Sequence, residues 1–400
     1  MFGFLTNYRL LQAELIKLEQ SKTELKALPM HGKQLEKVER KIAIVKAKMS
    51  ALYTEARSLG LEASVEVLSP QGNEASRFDD SIALVCSADE PYAMPMTAML
   101  CSVLANLKTN APLLISVIDG GIRSATKQKV LRSLQAQKVP FRLNWLKPDL
   151  TLLQGLPLSY RYTLAAYYRL LIPEALPTHL NKVIYLDCDM IVQGNLAELW
   201  QLELDDYYAL AVQDDYQPLV SSRGGCGLRN YQALGLNPEQ PYFNSGLLII
   251  NLKKWREEAI GRQVLEFSRQ NWMYIQNADQ DGLNAVFRGN WGRLDERWNQ
   301  MPQIYTYASW QESPYDAIAF QSLRETPHIV HYTNAPKPWQ HQCDHPAKAL
   351  FFAYLDQTAW KGWRDTLLRR VVRKIRKSLS ASKKRLNPIA ALTAEVRSQE

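Results

Sequence analysis

Residues 182–189 read Lys182-Val183-Ile184-Tyr185-Leu186-Asp187-Cys188-Asp189. The hydrophobic run predicts a buried strand, Lys182–Leu186, that ends directly in two acids. Both carboxylates therefore sit at the strand's C-terminal edge. Positions i and i+2 of a strand face one side, so Asp187 and Asp189 point together. Two hard anionic oxygens side by side suit Mg²⁺ or Mn²⁺. A bare D-x-D is common and reads equally as solvated loop aspartates; the strand in front of it gives it meaning.

Working outward, strands and helices alternate. Ile82–Cys86, Leu113–Ile118, Phe141–Leu146 and Leu247–Asn251 read as strands. Met96–Leu107 and Ala125–Gln137 read as helices, and Thr163–Leu171 as a helix that stops before Pro173. This order predicts an α/β fold with a mostly parallel sheet and helices on both faces. Ligands in such sheets bind beyond the carboxyl ends of the strands.

The flanks differ. Residues 1–60 carry two heptad-like seams: Leu11, Leu15, Leu18, Lys22, Leu25, then Leu35, Val38, Ile42, Val45, Met49, Leu52. Pro29-Met30-His31-Gly32 separates them, which predicts a helical hairpin used for self-association or for packing on the main domain. Residues 61–80 read as a linker, 81–345 as the main domain and 346–400 as a helical basic tail. The chain has 400 residues, 46% hydrophobic and 22% charged, which excludes a disordered or collagen-like protein. Five scattered cysteines without C-x-x-C fit a reducing compartment better than a stapled secreted fold. No stretch reaches the roughly 18 apolar residues of a spanning helix, and the N-terminus lacks a signal-peptide apolar region. The expectation is a cytoplasmic protein.

The net charge of +8 is uneven: residues 361–385 hold eleven Lys/Arg and one acid. The rest of the chain is slightly acidic, so the overall basicity does not point to nucleic acid. In the tail, Leu367, Leu368, Val371, Val372, Ile375 and Leu379 share one helical face and basic residues fill the remainder. With Trp360 and Trp363 alongside, that pattern suits an anionic membrane surface. A helix packed on the main domain or a nucleic-acid-binding tail are the other readings.

Four further motifs carry chemistry. His328-Ile329-Val330-His331 places two histidines on opposite faces of a strand end, so one can be a ligand; His331, nearer the loop, is the candidate. In Tyr332-Thr333-Asn334-Ala335-Pro336-Lys337-Pro338-Trp339, two prolines stiffen the loop around Lys337, and a fixed lysine near a metal suggests phosphate. Tyr242-Phe243-Asn244-Ser245-Gly246 reads as a turn or as a polar pocket around the Asn244 amide. Asp279-Gln280-Asp281 opens a helix, either to suit its macrodipole or to face a sugar. Arg169 reads as a helix C-terminal partner, and Gly224-Gly225-Cys226-Gly227 as a mobile loop that matches neither the P-loop nor the dinucleotide fingerprint.

The blocks YLDCDMIV, YFNSGLLIINLKKW, DQDGLN and HYTNAPKPW, in this order over residues 80–345, resemble glycosyltransferase family 8. These are retaining galactosyl- and glucosyltransferases of bacterial lipopolysaccharide and related glycans, with glycogenin as a relative. The resemblance implies a GT-A fold with a mixed sheet, a UDP-sugar donor (UDP-glucose or UDP-galactose) and Mn²⁺ or Mg²⁺. It implies Asp187, Asp189 and His331 as metal ligands. Ser87, Asp89, Tyr92, Cys188, Asn334 and Lys337 would bind the nucleotide. Arg169, Asp214, Asn244 and Ser245 would surround the donor sugar. Asp279 and Gln280 would lie at the reacting carbon, with Gln280 a poor nucleophile. The sequence departs from the family in Pro91, often asparagine, and in Asn334, where a glycine is usual. The expected enzyme is a hexosyltransferase acting on a lipid-linked or lipopolysaccharide-type saccharide, peripheral at the inner face of the cytoplasmic membrane. A lapsed transferase fold acting as a scaffold, and a metal-dependent nucleotidyltransferase, are the competing readings.

Overall fold

A computed structural model describes residues 34–45, 48, 67–68, 81–156, 164–222, 227–333 and 335–371. The chain divides into two units, Met1–Val65 and Glu66–Glu400. In the first, residues 34–45 are helical. Ile42 and Val45 on the expected seam are buried there, whereas Ile44 off the seam is 54% exposed. Apart from Lys48, the rest of the hairpin, residues 61–66 and 69–80 of the linker, and residues 372–400 of the tail lie outside the described residues.

The second unit is built on an eight-stranded mixed sheet. Its strands are β1 (Val67–Leu68), β2 (Ile82–Ala88), β3 (Leu113–Asp119), β4 (Phe141–Leu146), β5 (Lys182–Leu186), β7 (Ala209–Gln213), β8 (Phe243–Asn251) and β9 (Gly292–Arg293). They lie in the order β1-β4-β3-β2-β5-β8-β7-β9. Strands β4, β3, β2 and β5 run parallel, while β8 is antiparallel to both β5 and β7. A separate two-stranded ladder pairs β6 (Met190–Val192) with β10 (Ile329–His331). The helices are α1 (Ala93–Asn106), α2 (Ser124–Gln135), α3 (Leu196–Gln201), α4 (Leu252–Glu257), α5 (Ile260–Gln270), α6 (Ala278–Phe287), α7 (Ala317–Glu325) and α8 (Lys348–Leu355).

Alternation along the strands divides the core. Ile82, Leu84 and Cys86 of β2 join one buried cluster with α1 and α2. Ala83 and Val85 join a second, on the opposite face, with α5 and α6. That is the period-2 logic of a sheet covered on both sides.

Three local expectations need correction. Tyr242–Gly246 is not a turn: β8 already begins at Phe243, and Val212↔Asn244 and Gln213↔Phe243 are paired beyond a register shift between Ala211 and Val212 that leaves the extra residues in β8. Asn-Ser-Gly is turn chemistry locally, but ladder partners 30 residues away override it. Residues 164–171 form a 3₁₀ segment rather than an α-helix, and the chain continues helically past Pro173 over Ile172–Ala175. Proline fits there because it sits in the first turn, where no intrahelical donor is needed. Within the stretch read as linker, Val67–Leu68 pairs antiparallel with β4; two residues are too few to show periodicity.

The 3₁₀ segment, which carries Arg169, is held closely against α5. A Cβ on Gly261 of α5 would land on the carbonyl oxygen of Leu170. Backbone cannot yield as a flexible side chain can, so Gly261→Ala should cost about 1–3 kcal/mol, as overpacking does. A denaturant melt would check this; an unchanged midpoint would contradict the close packing.

Candidate active site

The topology brings several chain ends to one edge. Strands β2, β3 and β5 present their carboxyl ends there, carrying Ser87–Asp89, Asp119 and Asp187–Asp189. Because β8 runs the other way, its beginning, Asn244–Gly246, meets the same edge, and the Asp187 N–H donates to the Gly246 carbonyl at 2.8 Å. Asp214 follows the end of β7, and Asp279 and Gln280 occupy the first turn of α6. The β6–β10 ladder delivers His331: it pairs with Met190, and the Tyr332 N–H donates to the Asp189 carbonyl.

Asp187, Asp189 and His331 each offer one donor atom, all within 4.8 Å of one another. Each carboxylate has one oxygen pinned by a cation. Asp187 Oδ1 accepts from Arg169 at 2.8 Å and from the Tyr185 hydroxyl at 2.7 Å. Asp189 Oδ2 accepts from Lys337 Nζ at 2.6 Å. The other oxygens face the histidine: His331 Nε2 lies 3.4 Å from Asp189 Oδ1 and 4.0 Å from Asp187 Oδ2. Burial alone would raise the Asp189 carboxyl, but the Lys337 ammonium, and the His331 ring in its charged form, hold it well below the usual carboxylate range. Two carboxylate oxygens and one imidazole nitrogen are a donor set that could hold a divalent metal ion. Gly246 leaves room for the ring, since a Cβ there would collide with His331 Cε1. His328, as its offset requires, points away and stacks at 4.5 Å on Trp298.

The sugar-side candidates form one continuous network. Buried Arg169 also pairs with Asp279 at 3.0 Å, and it donates to the backbone carbonyl and hydroxyl of Ser245. The Ser245 hydroxyl donates to Asp279 at 3.1 Å. Gln280 Oε1 accepts the Ser245 N–H, and its Nε2 donates to Asp214 Oδ2. Asn244 donates to the same Asp214 oxygen. Desolvation pushes the Asp279 carboxyl up to about 6, against the pull of Arg169, with Asp187 adding to the rise. Arg169, read locally as a helix C-terminal partner and placed by the family resemblance beside the donor sugar, bridges Asp187, Asp279 and Ser245.

The nucleotide-side candidates gather at the ends of β2 and β5. The Cys188 thiol donates to the Ser87 carbonyl at 3.0 Å, and Asp89 accepts the Tyr92 N–H at 3.1 Å. Tyr92 meets Trp339 edge-on at 5.7 Å. The Lys337 ammonium is also held by the carbonyls of Tyr332 and Thr333 at 2.6 and 2.8 Å. Asn334 and Gly224–Cys226 lie outside the described residues.

Sequence reasoning missed Tyr185, Asn299 and Asp215. Tyr185 sits two residues before Asp187 on the same strand face, so alternation could have found it. Its hydroxyl proton goes to Asp187, so Ser87 Oγ, 3.3 Å away, is the donor between those two hydroxyls. Asn299 has no local signal. Asp215 is shielded at its Oδ1, which has no partner among the described residues.

With that geometry in place the class of protein is defined. The glycosyl transferase family 8 model matches residues 83–343, and the chain belongs to that family. General stress protein A of Bacillus subtilis is 29% identical over 71% of this chain and 96% of its own length. Lipopolysaccharide 1,2-glucosyltransferase of Escherichia coli K12 is 27% identical over 58% of this chain and 66% of its own. Among solved structures, the galactosyltransferase LgtC in complex with donor and acceptor sugar analogs superposes with a TM-score of 0.59 at 28% identity, covering 70% of this chain and 96% of that one. The mixed sheet with its flanking helices is the GT-A fold shared with LgtC.

Burial beside Asp214 pushes the Asp215 carboxyl up to about 8. The folded chain then holds a proton that the unfolded chain, ionising near 4, has released. Stability should therefore fall as pH rises from about 4 to about 8. Asp215→Asn should melt with the parent at pH 4 and above it at pH 8; a constant difference across that window would refute the assignment.

Proposed function

We propose that the chain is a retaining, metal-dependent hexosyltransferase that moves glucose or galactose from a UDP-sugar to a membrane-associated saccharide. The observation that carries this reading is the convergence of Asp187, Asp189 and His331 with Lys337 on one side and the Arg169–Asp279–Gln280 network on the other. A divalent ion held by the three ligands would act as a Lewis acid on the pyrophosphate, where negative charge develops as UDP leaves. Lys337 would hold a phosphate oxygen, Ser87, Asp89 and Tyr92 the nucleoside, and Asp214, Asn244 and Ser245 the sugar hydroxyls.

The acceptor oxygen would attack from the face that UDP leaves. The sugar–phosphate bond breaks, the new glycosidic bond forms, and the departing phosphate takes the acceptor's proton. The hydrogen bonding of Gln280 and Asp279 supports this route over a covalent one. Both polar atoms of Gln280 are engaged, and Asp279 Oδ2 already accepts from Arg169 and Ser245. Asp279 as nucleophile is the alternative. The names of the glucosyltransferase and galactosyltransferase relatives favour these two sugars.

The tail supports peripheral membrane association in a modified form. Leu367, Leu368 and Val371 are 68%, 72% and 44% exposed at the start of the amphipathic run. Trp360 and Trp363, by contrast, are half-buried against the protein's own clusters. No helix among the described residues is long and apolar enough to cross a membrane.

UDP release from a panel of UDP-sugars without acceptor, with Mn²⁺ and with EDTA, tests the chemistry. One sugar should turn over, only with metal, and Asp189→Asn should slow it by on the order of 10²-fold or more. Turnover indifferent to EDTA would sink the metal reading. A folded chain that neither turns over nor binds UDP would favour the scaffold reading, and pyrophosphate release from a nucleoside triphosphate the nucleotidyltransferase. Separately, deleting residues 366–400 should release the chain from anionic vesicles and leave donor hydrolysis intact. Retained binding would show that the anchor lies elsewhere.

A further inference from the structure

The hydrogen bonds behind His331 have a direction that can be deduced from one backbone donor. The Gly246 N–H donates to Asn244 Oδ1 at 3.0 Å. A backbone N–H can only donate, so that side of the Asn244 amide is its oxygen, and its nitrogen faces Asp214 Oδ2 at 3.0 Å. Asn299 meets the same Asn244 oxygen at 3.0 Å and must present its own nitrogen. The Asn299 oxygen therefore faces His331 Nδ1, at 2.8 Å. An acceptor at that distance requires a proton on Nδ1. In the neutral ring this leaves Nε2 bare, and Nε2 is the atom turned toward Asp187 and Asp189.

We infer that Asn299, oriented by Asn244, is a positioning residue that fixes His331 as the Nδ1–H tautomer and so presents the Nε2 lone pair to the carboxylate pair. Asn244, Asn299 and His331 are all buried, so water does not compete for these bonds. The competing tautomer would put a proton on Nε2, where it would donate to Asp189 and occupy the ligand position. It would also set Nδ1 and the Asn299 oxygen lone pair to lone pair, 2.8 Å apart. The relay ends on Asp214, so the donor-sugar side of the network and the tautomer of the metal-side histidine are set by one chain of amides. The tautomer assignment stands on hydrogen bonds alone; its consequence for metal binding rests on the reading of Asp187, Asp189 and His331 as ligands.

The test uses the full chain with ¹⁵N-labelled histidine at pH 8.5. His331 is assigned by the resonances lost in His331→Gln, and Mn²⁺ binding without nucleotide is followed by the electron spin resonance of the free ion. The parent should show Nδ1 protonated and Nε2 bare. Asn299→Leu should populate the other tautomer and weaken Mn²⁺ binding by about 10–100-fold. Asn299→Asp keeps an acceptor for Nδ1–H but loses the donor to Asn244, so it should restore the tautomer and recover part of the Mn²⁺ affinity that Asn299→Leu loses. A bare Nδ1 in the parent, or an Asn299→Leu protein with the parent's tautomer and affinity, would overturn the inference. Should Asn299→Leu fail to fold, the parent spectrum decides alone. An Nδ1–H histidine in a chain that binds no Mn²⁺ would uphold the relay and overturn the proposed metal site.

Discussion

One guanidinium organises the site. Arg169 is buried and touches Asp187, Asp279 and Ser245 together, with the Tyr185 ring 4.4 Å from its central carbon. Asp279 is buried, and desolvation works against its charge while Arg169 favours it. Desolvation opposes the charge on Arg169 too, but Asp187 and Asp279 outweigh it and raise its pKa. A buried ion pair is weak evidence of stability, since desolvation offsets much of the attraction. It is strong evidence of position, because removing one partner strands the others and costs about 3–5 kcal/mol. Arg169 thereby couples the Asp187–Asp189 edge to the start of helix α6. This also explains why its carrier is tight: a slack 3₁₀ segment would move both carboxylates at once.

The surrounding fold is what that coupling demands. A purely parallel sheet would have put the beginning of β8 at the far edge, away from Asp187. The antiparallel reversal between β5 and β8 brings Asn244, Ser245 and Gly246 beside the carboxylate pair. Gly246 must then be small, because the imidazole of His331 fills the space its side chain would take. The bulge at Ala211/Val212 shifts the register just before Asp214, at the end of β7 beside the start of β8.

What could be read from the sequence follows from the range of the forces involved. KVIYLDCD was legible because hydrophobic patterning and a two-residue spacing are local, and the same holds for His331 against His328. FNSG was ambiguous because local turn chemistry and a long-range ladder disagree, and the ladder wins. Arg169 looked like a helix terminus because its partners lie 18 residues away at Asp187 and 110 away at Asp279. Asn299 and Asp215 carried no signal: an amide at the end of a short 3₁₀ turn, or an acid after a strand, becomes meaningful only through what the fold places against it. Trp360 and Trp363 show the opposite failure, where a plausible membrane pattern is partly absorbed by the protein's own core.

The charge arrangement adds a constraint on how such a site can work. Asp187, Asp189 and Asp279 face Arg169 and Lys337, so three acids nearly balance two bases. In the proposed reaction a divalent ion would tip this cluster positive, and a sugar-nucleotide pyrophosphate would return it to a small negative charge. At short separations in a partly buried site, an uncompensated unit charge is worth several kcal/mol. Ion and nucleotide should thus favour each other's binding through the field of the whole cluster as well as by direct coordination. Lys337 is placed to mediate this, since its ammonium already spans the Asp189 carboxylate and the carbonyls of the loop that follows His331. A phosphate arriving there would share the ammonium with Asp189 and leave that carboxylate freer to hold the ion. The same lysine that neutralises the acid in one step would thus neutralise the leaving group in the next.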